Sequence, residues 1–344
     1  MNNKTPVALL LNDIHISKDN ILEFHKNWDE ALQICKNKGI VEMIIGGDLW
    51  LSRSSQTLDV LMAVRQAIVK ATQQGIFLTI AEGNHCKVDQ ESVLGYSHIF
   101  SLYPNVLVVD YYTVIELSKN TELYVMSYFP ENGSFTKLLK KIESTDLNKE
   151  KTNVLYIHQG IRGGLATPSE DELPASIFKS FDSVLVGHYH NRKKLEGTNI
   201  EYIGASRQHN FGEDEEKGYT VLFNDGTNEF IKNQVNVRYK VIPLNAQDIQ
   251  NAPMSLLDPN TNYKLKACVH CSSEEASTID KKQLVGMGFT KVELITTNIE
   301  NTAIASHDLE HKFDKNGIKE EYTIFCADKG ITVTMGLQYL DKIN

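Results

Sequence analysis

Cysteine is scarce and unpaired in this 344-residue chain. Its five cysteines, Cys35, Cys86, Cys268, Cys271 and Cys326, follow no framework spacing, which excludes a disulfide-stapled small fold and suits a reducing compartment. Long apolar runs are lacking too. The run nearest the start, Val7 to Leu11, gives way to polar residues too soon for a signal-peptide core or a membrane span. A soluble, cytoplasmic protein with no membrane partner is therefore expected. There is no basic excess: 35 Lys and Arg stand against 44 Asp and Glu, a net charge of -9, which excludes a protein gripping nucleic acid along a broad basic face. Any nucleic-acid contact has to be local, metal-assisted or shared with a partner. The eight prolines and 21 glycines show no period or cluster, and no internal repeat is visible.

What is present is an alternation. Short β-like runs (VALLLND, VEMIIGGD, IFLTIAEGN, VLVVD, ELYVMSYF, NVLYIHQ, SVLVGHYH, EYIGAS) alternate with amphipathic stretches, the pattern of a layered α/β domain. Helices are expected from Asn20 to Lys38, with Leu22, Trp28, Ala31, Leu32 and Cys35 on one face, and from Thr57 to Gln74. Gly39 and Gly75 are the expected stops. Near Arg238 the pattern changes, and VIPLNAQDIQNAPMSLLDPNTN, with three of the eight prolines, reads as a linker or irregular crossover. Beyond it KLKACVHC, a helix around Ile279 to Met287 and KVELITT form a small β-α-β unit, and the last forty or so residues read as mainly helical. The metal-like string Cys268-Val269-His270-Cys271 lies inside one of these strands and is read as strand residues.

Ionisable groups collect where the strands end: Asp13-Ile14-His15, Gly47-Asp48, Gly83-Asn84-His85, His158 and Gly187-His188-Tyr189-His190. Open α/β sheets form their sites at such ends. Asp13/His15 and His188/His190 are spaced i, i+2, so in extended backbone both members of each pair point to the same side and can face one metal pocket. Asp, His and Asn without thiolate suit manganese, iron or zinc, with magnesium a further alternative. Asp48, between glycine-rich turns, is the candidate for a carboxylate shared by two cations. Histidines 25, 98, 209, 270, 307 and 311 fall outside this set and read as structural or surface residues.

The ordered blocks DxH, GGD, GNH, a lone His after a strand, and GHxH resemble the calcineurin-like metallophosphoesterase superfamily over about residues 6 to 225. That resemblance implies a four-layer αββα sandwich with a small α/β capping domain and a helical C-terminal tail, divided as residues 1–238, 239–300 and 301–344. It implies two divalent ions, manganese first. One would be held by Asp13, His15, Asp48 and His190, and the other by Asp48, Asn84, His158 and His188. His85 would contact the scissile phosphate and protonate the leaving oxygen. The stretch GASRQHNFGEDEEKGYTVL is similar to the segment after GHxH in SbcD and meiotic-recombination-eleven DNA repair nucleases, with Ser206, Glu213, Lys217, Gly218 and Tyr219 in counterpart positions.

The implied activity is DNA phosphodiester hydrolysis as the nuclease subunit of an SbcCD-type complex. Its partners would be DNA, an SbcC-type ATPase docked on the tail, and a second copy in a homodimer. A phosphodiesterase or phosphatase on small substrates is one alternative, and a weakly catalytic DNA-end-binding subunit is another. Two positions depart from the nuclease pattern. Leu51 stands where a histidine often follows the bridging aspartate, and Cys86 stands where an aspartate usually follows GNH.

Overall fold

In the computed structural model the described residues are 4–165, 172–251 and 257–296, with scattered positions between 319 and 337. Four consecutive parallel strands, β1 (Pro6–Leu11), β2 (Glu42–Gly46), β3 (Phe77–Ala81) and β4 (Val106–Val109), form the heart of one six-stranded sheet. Antiparallel β11 (Gly218–Phe223) and β12 (Asn228–Lys232) extend it beyond β1. The second six-stranded sheet runs β5 (Tyr112–Ser118), β6 (Thr121–Met126), β7 (Thr152–His158), β8 (Ser183–Gly187), β10 (Ile200–Tyr202) and β9 (Lys193–Lys194). Its middle, β6-β7-β8-β10, is parallel.

The near-continuous apolar runs of the central strands follow from burial on both faces. Leu9, Leu11, Met43 and Ile45 pack with the inner sides of helices α1 (Ile21–Lys38) and α2 (Leu58–Gln73). Their neighbours Ala8, Leu10 and Ile44 turn the other way and meet Leu123, Val125, Val154 and Tyr156 of the second sheet. Tyr124, Met126, Leu155 and Ile157 point outward again, to a third cluster with Phe135 and Leu139 of α3 (Ser134–Lys141). Period-two alternation thus sorts the residues into three cores, and the layers read helix, sheet, sheet, helix.

Both long helices end at glycines in left-handed turns, Gly39 (φ 68°) and Gly75 (φ 78°). On α1 the apolar face differs from the expectation at one position. Leu22 is 77% exposed, and Phe24 takes the buried place beside Trp28.

By its contacts the chain divides into two compact units. The first takes residues 1–242, 253–266 and 288–291, and the second takes 243–252, 267–287 and 292–344. A three-stranded sheet of order β13 (Arg238–Asn245), β14 (Tyr263–Cys271), β15 (Phe289–Thr296) accompanies the short helices α4 (Ser273–Thr278) and α5 (Lys281–Gly286). The stretch expected as a linker therefore begins as a strand. Ile242 and Leu244 are buried while Val241 and Pro243 face out, and β13 lies at a sheet edge, where a proline's missing N–H is tolerated. The string Cys268 to His270 is strand, alternating in burial. The tail, 301–344, falls largely outside the described residues. Among those described, no helix is long and apolar enough to cross a membrane.

Candidate metal centre

The carboxyl ends of β1, β2 and β3 in one sheet and of β7 and β8 in the other open on a common point. Asp13 and His15 follow β1, Asp48 follows β2, Asn84 and His85 follow β3, His158 ends β7, and His188 and His190 follow β8. All eight side chains are brought together there. The turns that carry them are unusual. Asp13 (φ 50°), His15 (φ 48°), Asp48 (φ 49°) and His188 (φ 95°) are four of the five non-glycine residues with positive φ among those described. Such backbone costs of order 1–3 kcal/mol per residue and persists only where surrounding contacts impose it.

The i, i+2 pairs therefore do not share a side through extended backbone, as their spacing suggests. Asp13 and His15 converge through a left-handed turn. His188 and His190 diverge: His188 Nδ1 lies 3.2 Å from Asn84 Oδ1, while His190 Nε2 lies 3.2 Å from His15 Nε2.

Asp13 Oδ1 is buried without a hydrogen-bond donor, and the Nε2 atoms of His15, His158 and His190 stand around it at 3.9, 3.8 and 3.8 Å. Its other oxygen accepts from Asn12 Nδ2 (2.5 Å) and the His188 N–H (3.1 Å). Asp48 Oδ2 lies 3.5 Å from His15 Nε2 and 3.3 Å from His158 Nε2, so a single carboxylate oxygen reaches both halves of the cluster. Asp48 Oδ1 accepts the His85 N–H at 2.8 Å. The Asn84 carboxamide lies 3.2, 3.2 and 3.3 Å from His188 Nδ1, Asp48 Oδ2 and His158 Nε2. Lone pairs converging at separations that metal–ligand bonds of about 2.0–2.2 Å can span are what a divalent ion requires. The residues present fit such ions.

The imidazoles are oriented from behind. His158 Nδ1 donates to the Gly46 carbonyl (3.2 Å), and the ring is wedged between Gly47 and Gly187, where an added Cβ would come within 2.4 and 2.8 Å of Nδ1. His85 Nδ1 donates to the Leu51 carbonyl (2.7 Å), leaving Nε2 free for the cavity. Leu51 thus orients His85 through its backbone whatever its side chain.

Charge is balanced locally. Burial opposes ionisation of Asp13 and Asp48, but the imidazole of His158 above all, with His190 beside Asp13 and His15 beside Asp48, holds both carboxyls below their ordinary range. Burial likewise opposes charge on His158, yet Asp48 and Asp13 outweigh it and raise this imidazole to about 9. Burial pushes His15 and His188 down to about 4. The protonated His158 is therefore the cationic counterpart of two buried carboxylates, a charge that divalent ions would take over.

Sequence reasoning passed over several residues at this centre. His209, read as ordinary, donates from Nε2 to the Asp13 carbonyl (2.7 Å), and its ring packs on His15 and His190. Buried Arg207 donates to the carbonyls of Ile14 and His15 (3.0 and 3.1 Å). The segment following Gly204 is thus a belt around the β1 turn. Arg53, Tyr239 and Lys264 join the site residues in lining a cavity of about 480 Å³. A larger cavity, about 680 Å³ between α1 and α2, contains none of them and has no chemistry of this kind. Cys86 is buried in the core against the helices, and burial, with Glu82 and Asp48 nearby, raises its thiol well above the ordinary range.

No protein-family model matches the chain. It is 27% identical over 213 residues to the putative phosphoesterase 244L of Invertebrate iridescent virus 6, covering 60% of this chain and 73% of that protein. It is 26% identical over 248 residues to the SbcD component of the nuclease SbcCD of Staphylococcus saprophyticus, covering 63% of this chain and 61%, under two thirds, of that relative. Among solved structures, the Pseudomonas putida nuclease MPE is 15% identical with a TM-score of 0.28, covering 56% of this chain and 65% of that one. A dimetal phosphatase from Danio rerio is 11% identical with a TM-score of 0.37, covering 57% and 86%. Both structural likenesses are slight. The chain is thus similar in sequence to a phosphoesterase and to a nuclease component, and it folds the five motif blocks that resemble the calcineurin-like metallophosphoesterases into one centre of carboxylates and imidazoles.

Proposed function

We propose that this metal-dependent phosphoesterase hydrolyses DNA phosphodiester bonds as the nuclease subunit of an SbcCD-type complex. The observation that carries the reading is Asp48, whose one carboxylate oxygen lies within 3.5 Å of imidazoles on both sides of the centre. Asp13, His15, Asp48 and His190 would hold one ion, and Asp48, Asn84, His158 and His188 the other, with manganese the first choice for this oxygen and nitrogen set. When bound, the ions supply Lewis-acid polarisation of the phosphate and an activated water. His85, which lines the cavity and whose Nδ1 donates to the Leu51 carbonyl, would protonate the leaving oxygen. Arg53 and Lys264 put positive charge where a substrate phosphate enters, the local basic contact that a chain of net charge -9 needs.

In this reading residues 1–238 are the nuclease domain, 239–300 the cap and 301–344 the docking tail for an SbcC-type ATPase, with the homodimer as a further assembly. The modest cavity favours one second reading, a small phosphodiester as substrate. The test is chelator-treated protein reloaded with manganese and offered single-stranded DNA, hairpin DNA, bis-p-nitrophenyl phosphate and nucleotides, beside Asp48→Ala. Cleavage of DNA by the wild type and loss of both ions and of turnover in the variant are expected. Turnover of only the small esters would select the second reading, and turnover unchanged in Asp48→Ala would overturn both.

A further inference from the structure

The loop after β10 makes a contact that none of the ligand motifs contains. Glu213 Oε1 accepts from His190 Nδ1 at 2.8 Å and from Asn210 Nδ2 at 2.8 Å, and its Oε2 accepts the His209 N–H at 3.0 Å. The carboxylate is only 8% exposed. Its loop is tied down beside His190: Lys217, fully buried, donates to Asn191 Oδ1 (2.8 Å) and to Asp214 Oδ1 (2.6 Å).

The geometry points to Glu213 as the positioning residue of one half of the centre, the carboxylate that fixes His190 as a ligand. This rests on the two-ion reading above. An acceptor-only carboxylate behind Nδ1 keeps the proton there, so Nε2 presents its lone pair to Asp13 and His15. It also fixes the ring plane and strengthens the donor, as a neutral carbonyl does less well. The asymmetry across the centre makes the role specific. His158, on the opposite side, is oriented by the Gly46 carbonyl, and His15 has no partner at Nδ1. Of these imidazoles only His190 has an anion behind it, so removing that anion acts on its side alone.

The experiment titrates chelator-stripped protein with Mn²⁺ by calorimetry, alongside thermal melts of the metal-free proteins. Wild type should bind two ions. Glu213→Ala should weaken one binding event by about 10–100-fold and leave the other close to wild type, while the melt reports that the variant is folded. Glu213→Gln keeps the shape and an acceptor oxygen but not the charge, and should fall between. Two affinities equal to wild type in Glu213→Ala, or in Glu213→Gln if the alanine variant does not fold, overturn the assignment. So does equal weakening of both events, which a merely structural loop would give. A wild type that binds no ion overturns the two-ion reading instead, and is thereby told apart.

Discussion

Gly83→Ala tests whether the backbone between β3 and Asn84 is built around Asp48. A Cβ on Gly83 would lie 2.2 Å from Asp48 Oδ1 and 2.4 Å from the Asp48 backbone nitrogen. The oxygen could rotate away, at the loss of its bond from the His85 N–H, but the nitrogen cannot. Restoring ordinary contact near 3.4 Å requires the two turns to part by about 1 Å. That separation moves Asn84 and the shared Asp48 out of register. Misplacement of this size costs about 10²-fold in rate, and overpacking costs about 1–3 kcal/mol of stability. The assay is kcat/KM on bis-p-nitrophenyl phosphate with manganese, beside a thermal melt. Gly286→Ala, where an added Cβ meets nothing within 4 Å, is the control. If Gly83→Ala keeps kcat/KM within about threefold of wild type, the close approach is not what shapes the centre.

Three further outcomes are expected. His85→Ala should retain both ions while turnover falls by about 10²–10⁴-fold; loss of metal by elemental analysis would move His85 from acid to ligand. Lys87 is fully buried, and burial lowers its ammonium to about 8. Because the folded value lies below the unfolded one, the unfolded chain binds more protons between about pH 8 and 10.4, and stability should rise with pH across that window by up to about 3 kcal/mol. Lys87→Met should flatten that slope in urea titrations, and an unchanged slope would refute the assignment. Cys86→Asp buries a carboxyl in the core against the helices, so it should destabilise by about 3 kcal/mol or more instead of tuning His85; a normal urea midpoint would show that the site opens to water.

The two long helices and the central strands were legible because apolar period and glycine stops are local signals. The chemistry-bearing residues were legible for the same reason, each sitting at the end of a strand that hydrophobicity alone marks. What stayed hidden depends on contacts far along the chain. Strand β5 is an edge strand with no fully buried position. His209 and Arg207 matter only because their segment wraps a turn some 190 residues earlier. Left-handed backbone at Asp13, His15, Asp48 and His188 cannot be inferred from spacing, since these residue types are ordinarily extended or helical. Pro243 misled because prolines mark linkers and edge strands alike.

The centre draws its donors from both sheets, and His15 and His190, whose ring nitrogens meet, are 175 residues apart in the chain. Contacts of such separation close late, after the entropy of a long loop has been overcome by the packing of each sheet. Neither sheet alone presents more than a partial set of donors, so ion capture has to follow the docking of one sheet on the other. Bound metal then favours only the fully assembled sandwich and stabilises it in proportion to the logarithm of ion concentration over Kd. On the two-ion reading, the metal content of a preparation would count the molecules whose two sheets have come together.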